Sequence, residues 1–453
     1  MAEPTRYDLF IVGGGPGGYT AALLGAKKGL RVGLAEGSHL GGTCTNTGCI
    51  PAKSYIESIN LYTQIQSAQR FGLQAQSSPP GLLTLNRRKT RIVGRLVKGI
   101  EYLLNKAGVT VYHGHAELAG KNTVRVADEE IRCTSLIIAS GSQPKRPAMF
   151  DLPGIWTSED IFEVTEAPSS LIIIGGGAIG MEMAHVFGNL GTEVTVIEAL
   201  ERVLATEDED VSRELARLYR KIRFLTSARI QALDASSGFT LTVESPGGTR
   251  TVTGQHLLLC IGRQPRIPAG VPELGVSLGT SGSIEVDGFM QTDVPGVYAV
   301  GDVTGQHMYA YVAAKEAEIA IDHMTGGSRS MDYSFIPSVV FTSPEVASVG
   351  KRLSEMDPSV TRKGTFPVSA LGRARTMDAC DGFAHVYCTP AGKIERITIM
   401  APHATELISW ATLAVSLGLG LEEFLKPHYP HPTLAELLKE AAEDALGLSV
   451  HKP

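Results

Sequence analysis

Short unbroken apolar runs that end on glycine clusters punctuate this chain. The first, Tyr7–Val12, is apolar apart from Asp8 and leads into Gly13-Gly14-Gly15-Pro16-Gly17-Gly18. A helical pattern follows over Ala21–Lys28, then a second strand over Arg31–Ala35 closing on Glu36. The order returns later, as strand Leu171–Ile174, turn Gly175-Gly176-Gly177-Ala178-Ile179-Gly180, helix Met181–Leu190 and strand Glu193–Ile197 closing on Glu198. Strands that are apolar without alternation are buried on both faces, which predicts parallel sheets covered by helices. In each turn the first glycine (Gly13, Gly175) bends the chain. The second (Gly15, Gly177) lets a pyrophosphate approach the backbone, and the third (Gly18, Gly180) lets helix and strand pack closely. Glu36 and Glu198 then stand where an adenosine ribose offers its hydroxyls. One such turn alone would be weak evidence; two, each in strand–turn–helix–strand context, predict an α/β chain that binds two dinucleotides.

Other stretches fill in the architecture. Apolar positions Ile56, Ile59 and Leu61 mark a helix after Lys53, and Leu85–Ala107 reads as a longer one with Ile92, Leu96, Ile100, Leu103 and Leu104 inward. The basic run Arg87-Arg88-Lys89 reads as its solvated face. Val109–Tyr112 and Thr123–Val126 read as strands of a small antiparallel layer. Pro144 to Pro153 is a proline-rich crossing, which predicts a boundary. The expected division is 1–150, to which 271–330 returns, then 151–270, then a last unit over 331–453 with an apolar helix near Leu407–Leu417.

Candidate chemistry centres on Gly41-Gly42-Thr43-Cys44-Thr45-Asn46-Thr47-Gly48-Cys49-Ile50-Pro51-Ala52-Lys53. Pro51 suits the first turn of a helix, so both sulfurs are expected near a helix N-terminus, where a thiolate is favoured over a thiol. Buried structural thiols and half of a zinc site are the alternatives, but zinc needs further ligands nearby and the next cysteine is Cys133. Six cysteines without a secretory leader are ordinarily reduced, which makes this pair redox-active if it oxidises at all. Near the end, His431-Pro432-Thr433-Leu434-Ala435-Glu436 pairs an imidazole with a carboxylate about one helical turn in, the arrangement of a general base. Pro432 is expected to start that helix.

Composition narrows the class. The chain of 453 residues is 43% hydrophobic with net charge -6, which describes an ordered globular protein with no reason to seek nucleic acid. No apolar run approaches the ~18 residues of a membrane span. Only six residues precede the first apolar run, so a cytoplasmic protein is expected.

The Gly-Gly-Thr-Cys, Asn46, Gly48-Cys49-Ile50-Pro51 and Lys53 pattern closely resembles the redox motif of the pyridine nucleotide–disulfide oxidoreductases, which include dihydrolipoamide dehydrogenase, glutathione reductase and mercuric reductase. The resemblance implies two Rossmann-like domains, the first binding FAD and the second NAD, and a C-terminal α+β dimerisation domain. It assigns FAD contacts to Gly13, Gly15, Gly18, Glu36, Gly42, Thr43, Lys53, Ala116, Ser140, Gly141, Ala310 and Asp302, with Ser140 where threonine is more usual. It assigns the nicotinamide nucleotide to Gly175, Gly177, Gly180, Glu198 and Gly262, and Glu198 favours NAD because an acid repels a 2′-phosphate. Glu182 is expected to pair with Lys53 beside the flavin, and His431 with Glu436 to reach the partner's Cys44 and Cys49 across a homodimer.

The function so implied is oxidation of a protein-bound dihydrolipoyl dithiol: substrate sulfur attacks Cys44, Cys49 passes electrons to FAD, and NAD accepts them. Met308-Tyr309-Ala310-Tyr311-Val312 departs from the His-Lys common in lipoamide dehydrogenases and reads more like mercuric reductase, which keeps another disulfide or a metal ion open as substrate. The absence of cysteine after Glu436 argues against mercury, and Glu198 against glutathione reductase. A structural subunit without activity is the remaining alternative.

Overall fold

The computed structural model describes residues 5–452. The leaderless start inferred from the first residues rests partly on residues 1–4, which lie outside it.

Strand β1 (Thr5–Val12) turns into helix α1 (Pro16–Lys27), β2 (Val32–Glu36), the short α2 (Gly42–Asn46), α3 (Cys49–Gln66) and the long α4 (Leu82–Lys106). Four further strands follow, β3 (Thr110–His113), β4 (Ala116–Gly120), β5 (Thr123–Val126) and β6 (Glu129–Ile138). They assemble in the order β3-β2-β1-β6-β5-β4. Leu9, Phe10 and Ile11 of β1 are wholly buried, as the unalternating pattern requires. The turn explains its own glycines. Gly13 has φ +105, and a Cβ on Gly18 would come within 1.8 Å of the Gly13 carbonyl oxygen, so no side chain fits where α1 crosses β1.

Strand β7 (Ser142–Pro144) leaves this sheet, and β8 (Ile155–Thr157), β9 (Ser170–Ile174), α5 (Ala178–Asn189), β10 (Glu193–Ile197), α6 (Glu209–Leu218) and β11 (Arg223–Leu225) build the second unit. An antiparallel meander, β12 (Arg229–Asp234), β13 (Phe239–Ser245) and β14 (Gly248–Gly254), precedes β15 (His256–Leu259). The parallel order is β11-β10-β9-β15-β8. The turn repeats the first one, since Gly175 has φ +101 and a Cβ on Gly180 would meet the Gly175 oxygen at 2.0 Å. β16 (Arg263–Pro265) pairs with β7 on the way back, and β17 (Val297–Ala299) rejoins the first sheet beside β6 before α7 (Ala310–Met324).

The last unit is an antiparallel sheet. Its strands are β18 (Ser338–Val340), β19 (Glu345–Gly350), β20 (Arg362–Pro367), then after α8 (Gly372–Thr376) β21 (Phe383–Cys388) and β22 (Ile394–Ala401), in the order β18-β19-β22-β21-β20. Helices α9 (Ala404–Ser416), α10 (Leu421–Leu425) and α11 (Glu436–Ala445) cover it, and Ile397, Ile399, Leu437 and Leu438 are among its fully buried side chains. The chain therefore has two Rossmann-like units and a C-terminal α+β unit.

Four expectations change. Residues 110–113 form a parallel edge strand beside β2, not part of the antiparallel layer, because Thr110–His113 registers with Gly33–Glu36. Lys89 is buried at 5% exposure, its ammonium on Glu163 Oε1 (2.8 Å) and the Phe162 carbonyl (3.1 Å), and Arg88 donates to the Ser54 carbonyl (2.8 Å), so the basic run is largely an internal brace. On α4, Leu104 is buried while Leu96 and Leu103 are 42% and 48% exposed, so the apolar stripe is only partly covered within one chain. Finally, helix α11 starts at Glu436, not at Pro432. Residues 430–435 turn instead, with the Thr433 hydroxyl on the Pro430 carbonyl (2.8 Å) and the Thr433 N–H on Glu436 Oε2 (2.8 Å).

Candidate active site

One cavity of about 1940 Å³ runs between the two Rossmann-like units. That is about twice the upper end of ordinary small-molecule sites, room enough for two nucleotides. Its walls include Gly13, Gly15, Glu36, Gly42, Thr43, Ala116, Ser140, Gly141, Asp302 and Ala310 from the first unit and its return. Gly175, Gly177, Glu198 and Gly262 line it from the second. Gly18 and Gly180 do not face it, correcting their assignment as contacts: their missing Cβ makes room for the backbone of Gly13 and Gly175.

The two acids are held alike. Gly14 and Ser38 N–H groups donate to Glu36 (2.7 and 2.7 Å), and Gly176 and Leu200 N–H groups donate to Glu198 (2.6 and 2.8 Å). Each carboxylate is thereby aimed into the cavity with acceptor capacity left for a ribose. A Cβ on Gly177 or Gly141 would meet open space, whereas one on Gly42 would come within 2.7 Å of Gly15 Cα. Backbone therefore lines the cradle closely from both sides, and the residues present fit dinucleotides in both units.

Between them stands the sulfur pair. Cys49 opens α3, as expected, but Cys44 lies inside the short helix α2 because Gly42–Asn46 closes its own turn. Both thiols are free. The neighbouring Cys44 and then Lys53 favour the Cys49 thiolate, bringing it to about 7. The same neighbour, then burial, pushes Cys44 upward. The two sulfurs titrate together as a pair, whose reduced form holds one proton between them more readily than two isolated thiols would.

Lys53, one turn into α3, places its ammonium 2.9 Å from both Glu182 oxygens on α5. The Phe341 N–H adds a bond to Glu182 Oε1 (3.1 Å), and Lys53 lies 4.3 Å over the Phe341 ring. The pair joins three parts of the chain at one point, and Glu182 is 4% exposed. His431 and Glu436 are within 2.8 Å of each other (Nδ1 to Oε1), so Nδ1–H donates to the carboxylate and Nε2 faces away from it. They do not line the cavity, and the imidazole is 75% exposed on the single chain.

Three wall residues were not assigned a role in the sequence. Arg263 donates to Ser142 Oγ (2.7 Å), the Ser142 carbonyl (2.9 Å) and Glu159 (2.8 Å), and Ser142 donates in turn to Asp302 (2.5 Å). Its place after Gly262 was the available signal. Tyr309 and Tyr311 stack at 5.2 Å and 9°, with the Tyr311 hydroxyl on the Pro337 carbonyl. Burial, then Tyr309 and Cys49, push the Tyr311 phenol upward, and both rings line the same cavity as the sulfurs.

Among the described residues no helix is long and apolar enough to cross a membrane, and no group of three or more His, Cys, Asp or Glu side chains could hold a metal ion.

The family model "Pyridine nucleotide-disulphide oxidoreductase" matches residues 7–317, and its "dimerisation domain" model matches residues 336–442. A dihydrolipoyl dehydrogenase of Chlamydia pneumoniae is 36% identical over 461 residues, covering 99% of this chain and 99% of that protein. One of Bacillus subtilis (strain 168) is 33% identical over 471 residues, again covering 99% of each. Among solved structures, LpdA from Mycobacterium tuberculosis superposes with TM-score 0.88 at 28% identity, covering 97% of this chain and 99% of that one. The Cu(II) complex of the HOCl-induced flavoprotein disulfide reductase RclA from Escherichia coli gives 0.87 at 27%, with the same coverage. The chain therefore belongs to the pyridine nucleotide–disulphide oxidoreductase family, as an NAD-dependent flavoprotein that uses FAD and NAD and carries the family's dimerisation domain.

Proposed function

We propose that the protein is a dihydrolipoyl dehydrogenase, a cytoplasmic homodimer that oxidises a protein-bound dihydrolipoyl dithiol with NAD as acceptor. The observation that carries this reading is the His431–Glu436 pair (2.8 Å) together with Cys44 and Cys49 lining the cavity that both nucleotide cradles share. In this reading 1–150 with 271–330 holds FAD, 151–270 holds NAD, and 331–453 forms the dimer.

The cycle starts from the Cys44–Cys49 disulfide. His431 Nε2 of one subunit takes the proton of a substrate thiol, and the thiolate attacks the partner subunit's Cys44. The Cys44–Cys49 bond breaks and Cys49 departs as thiolate, stabilised by Lys53. The second substrate sulfur, on losing its proton to solvent, attacks the first. The bond to Cys44 breaks, the cyclic disulfide leaves, and Cys44 takes the proton held on His431. The dithiol has lost two electrons and two protons; the enzyme holds the electrons as Cys44–SH and Cys49–S⁻. Gly13, Gly15, Glu36 and Asp302 would hold FAD, which when bound would supply two-electron exchange between this pair and NAD. Lys53 is held by Glu182 with its charge directed beside that exchange, which favours the electron-rich side of it.

A second reading has one observation in its favour. The stacked rings of Tyr309 and Tyr311 line the same cavity as the sulfurs, a wall suited to another disulfide or to a metal ion such as the Cu(II) named for RclA. Parallel assays decide between the two. Dihydrolipoamide with NAD is expected to turn over at least about 100-fold faster than glutathione disulfide, mercuric ion or Cu(II) with NADH, a gap of roughly 2.7 kcal/mol. The reverse ranking rejects the lipoyl assignment.

Glu198 yields a separate expectation. Replacing it with alanine removes a charge-assisted acceptor for the ribose and the repulsion of a 2′-phosphate. kcat/KM for NAD should fall about 10- to 100-fold and the preference for NAD over NADP should narrow. Steady-state kinetics with both nucleotides check it.

A further inference from the structure

The second Rossmann-like unit joins the first through the ribbon β7–β16, in which Arg263, Gln264 and Pro265 register with Pro144, Gln143 and Ser142. Two strands alone twist readily, and α5 adds a contact with α3 through Lys53 on Glu182 (2.9 Å) and His185 on Asn60 (3.0 Å). At a separate place the unit meets the C-terminal sheet through Glu207 and Asp208, which are 4% and 1% exposed. Asp208 precedes α6 as its N-cap residue. Oδ2 accepts from the Tyr387 hydroxyl (2.7 Å) and His385 Nδ1 (3.2 Å), and Oδ1 from Arg396 Nε (3.0 Å) and the Thr398 hydroxyl (3.1 Å). Glu207 takes a second arm of Arg396 at 3.4 Å. All four donors come from β21 and β22.

A carboxylate with four directed donors is saturated. A buried ionic contact of this kind is a poor source of net stability compared with apolar packing, but its bonds have direction, so the two surfaces cannot slide. The same C-terminal unit also grips α5, where the Phe341 N–H meets Glu182. The C-terminal unit therefore holds the second unit at α5, at the start of α6 and at its end, where Arg217 meets Asp381 (3.1 Å) and the Tyr219 hydroxyl accepts from the Ser343 N–H (2.9 Å), and only the contact at the start of α6 is buried and saturated.

We infer that Asp208 is a positioning residue for hydride exchange with NAD: it locks the nicotinamide-nucleotide unit onto the dimerisation sheet and so aligns that unit with the flavin side of the cavity. None of Asp208, His385, Tyr387, Arg396 or Thr398 lines the cavity, so any effect on the reaction is transmitted through position.

The test uses the FAD-loaded dimer and separates the two half-reactions. In Asp208→Asn, single-turnover flavin reduction by NADH should slow about 10-fold or more, since misplacement by an ångström can cost 10²-fold. NAD affinity by equilibrium titration should stay within about threefold, because Glu198 and the glycine turn lie within the displaced unit. Flavin reduction by dihydrolipoamide should keep the wild-type rate, and hydrogen exchange across β7, β16 and α6 should accelerate. Tyr387→Phe, which keeps three of the four donors, should slow the NADH step by a smaller factor; it stands as the test if Asp208→Asn does not fold. Equal loss in both half-reactions, or an unchanged NADH step in the folded variants, overturns the inference. The NADH step involves no dithiol, so its outcome is independent of the lipoyl assignment.

Discussion

Cys44→Ser is expected to lower dithiol-dependent reduction of NAD by at least about 10⁴-fold, because an oxygen cannot exchange with a disulfide and no other group can replace the attacked sulfur. Electron flow from NADH to an artificial acceptor should persist within about threefold, since Lys53, Glu182 and both nucleotide cradles are untouched. A dithiol rate within tenfold of wild type would remove Cys44 from the reaction. The thiolate's ultraviolet absorbance supplies a second readout in the reduced, flavin-free protein. A titration centred at about 7 is expected for Cys49. The largest influence lowering it is the neighbouring Cys44, so Cys44→Ala should move that titration upward. A midpoint that stays in place would show that Lys53 alone sets it.

His431→Gln should reduce kcat/KM for the dithiol by about 10²- to 10⁴-fold, the range of a lost general base, with the NADH-to-acceptor rate unchanged. The imidazole is exposed and stands outside the cavity on its own chain, which gives the dimer a decisive role. Mixed dimers of Cys44→Ser and His431→Gln chains contain one site with both native groups and one with neither. Random reassortment of equal amounts makes half of the dimers mixed, so activity should recover to about one quarter of wild type. A base acting within its own chain would give no recovery, and that result would reject the shared site.

These expectations draw unequally on sequence and on structure. The paired turns at Gly13–Gly18 and Gly175–Gly180 were legible because local sterics dictate them: a positive φ at the first glycine and a carbonyl under 2.1 Å from any Cβ at the third admit nothing else. Lys53 with Glu182, and His431 with Glu436, were anticipated at their own positions by resemblance, and each pair is found within 2.9 Å. The helix that was to start at Pro432 was misread, because Glu436 gives an oxygen to Thr433 N–H and so opens the helix itself. Lys89 was read as a solvated charge since its neighbours are basic, yet the chain some 70 residues on supplies Phe162 and Glu163 to receive it.

What the chain's local order determined by itself was the two Rossmann-like units with their glycine turns, and the placing of Glu36 and Glu198 at the ends of their second strands. Each depends on neighbours within a few turns of chain, where periodicity and backbone sterics act directly. Tertiary structure alone decided that Arg263 braces Ser142 and through it Asp302, and that Asp208 meets four donors from β21 and β22. Those outcomes depend on burial and on partners roughly 120 to 190 positions away, and charge or hydrogen-bond energies in a low-dielectric interior follow distance in space, to which spacing along the chain is blind.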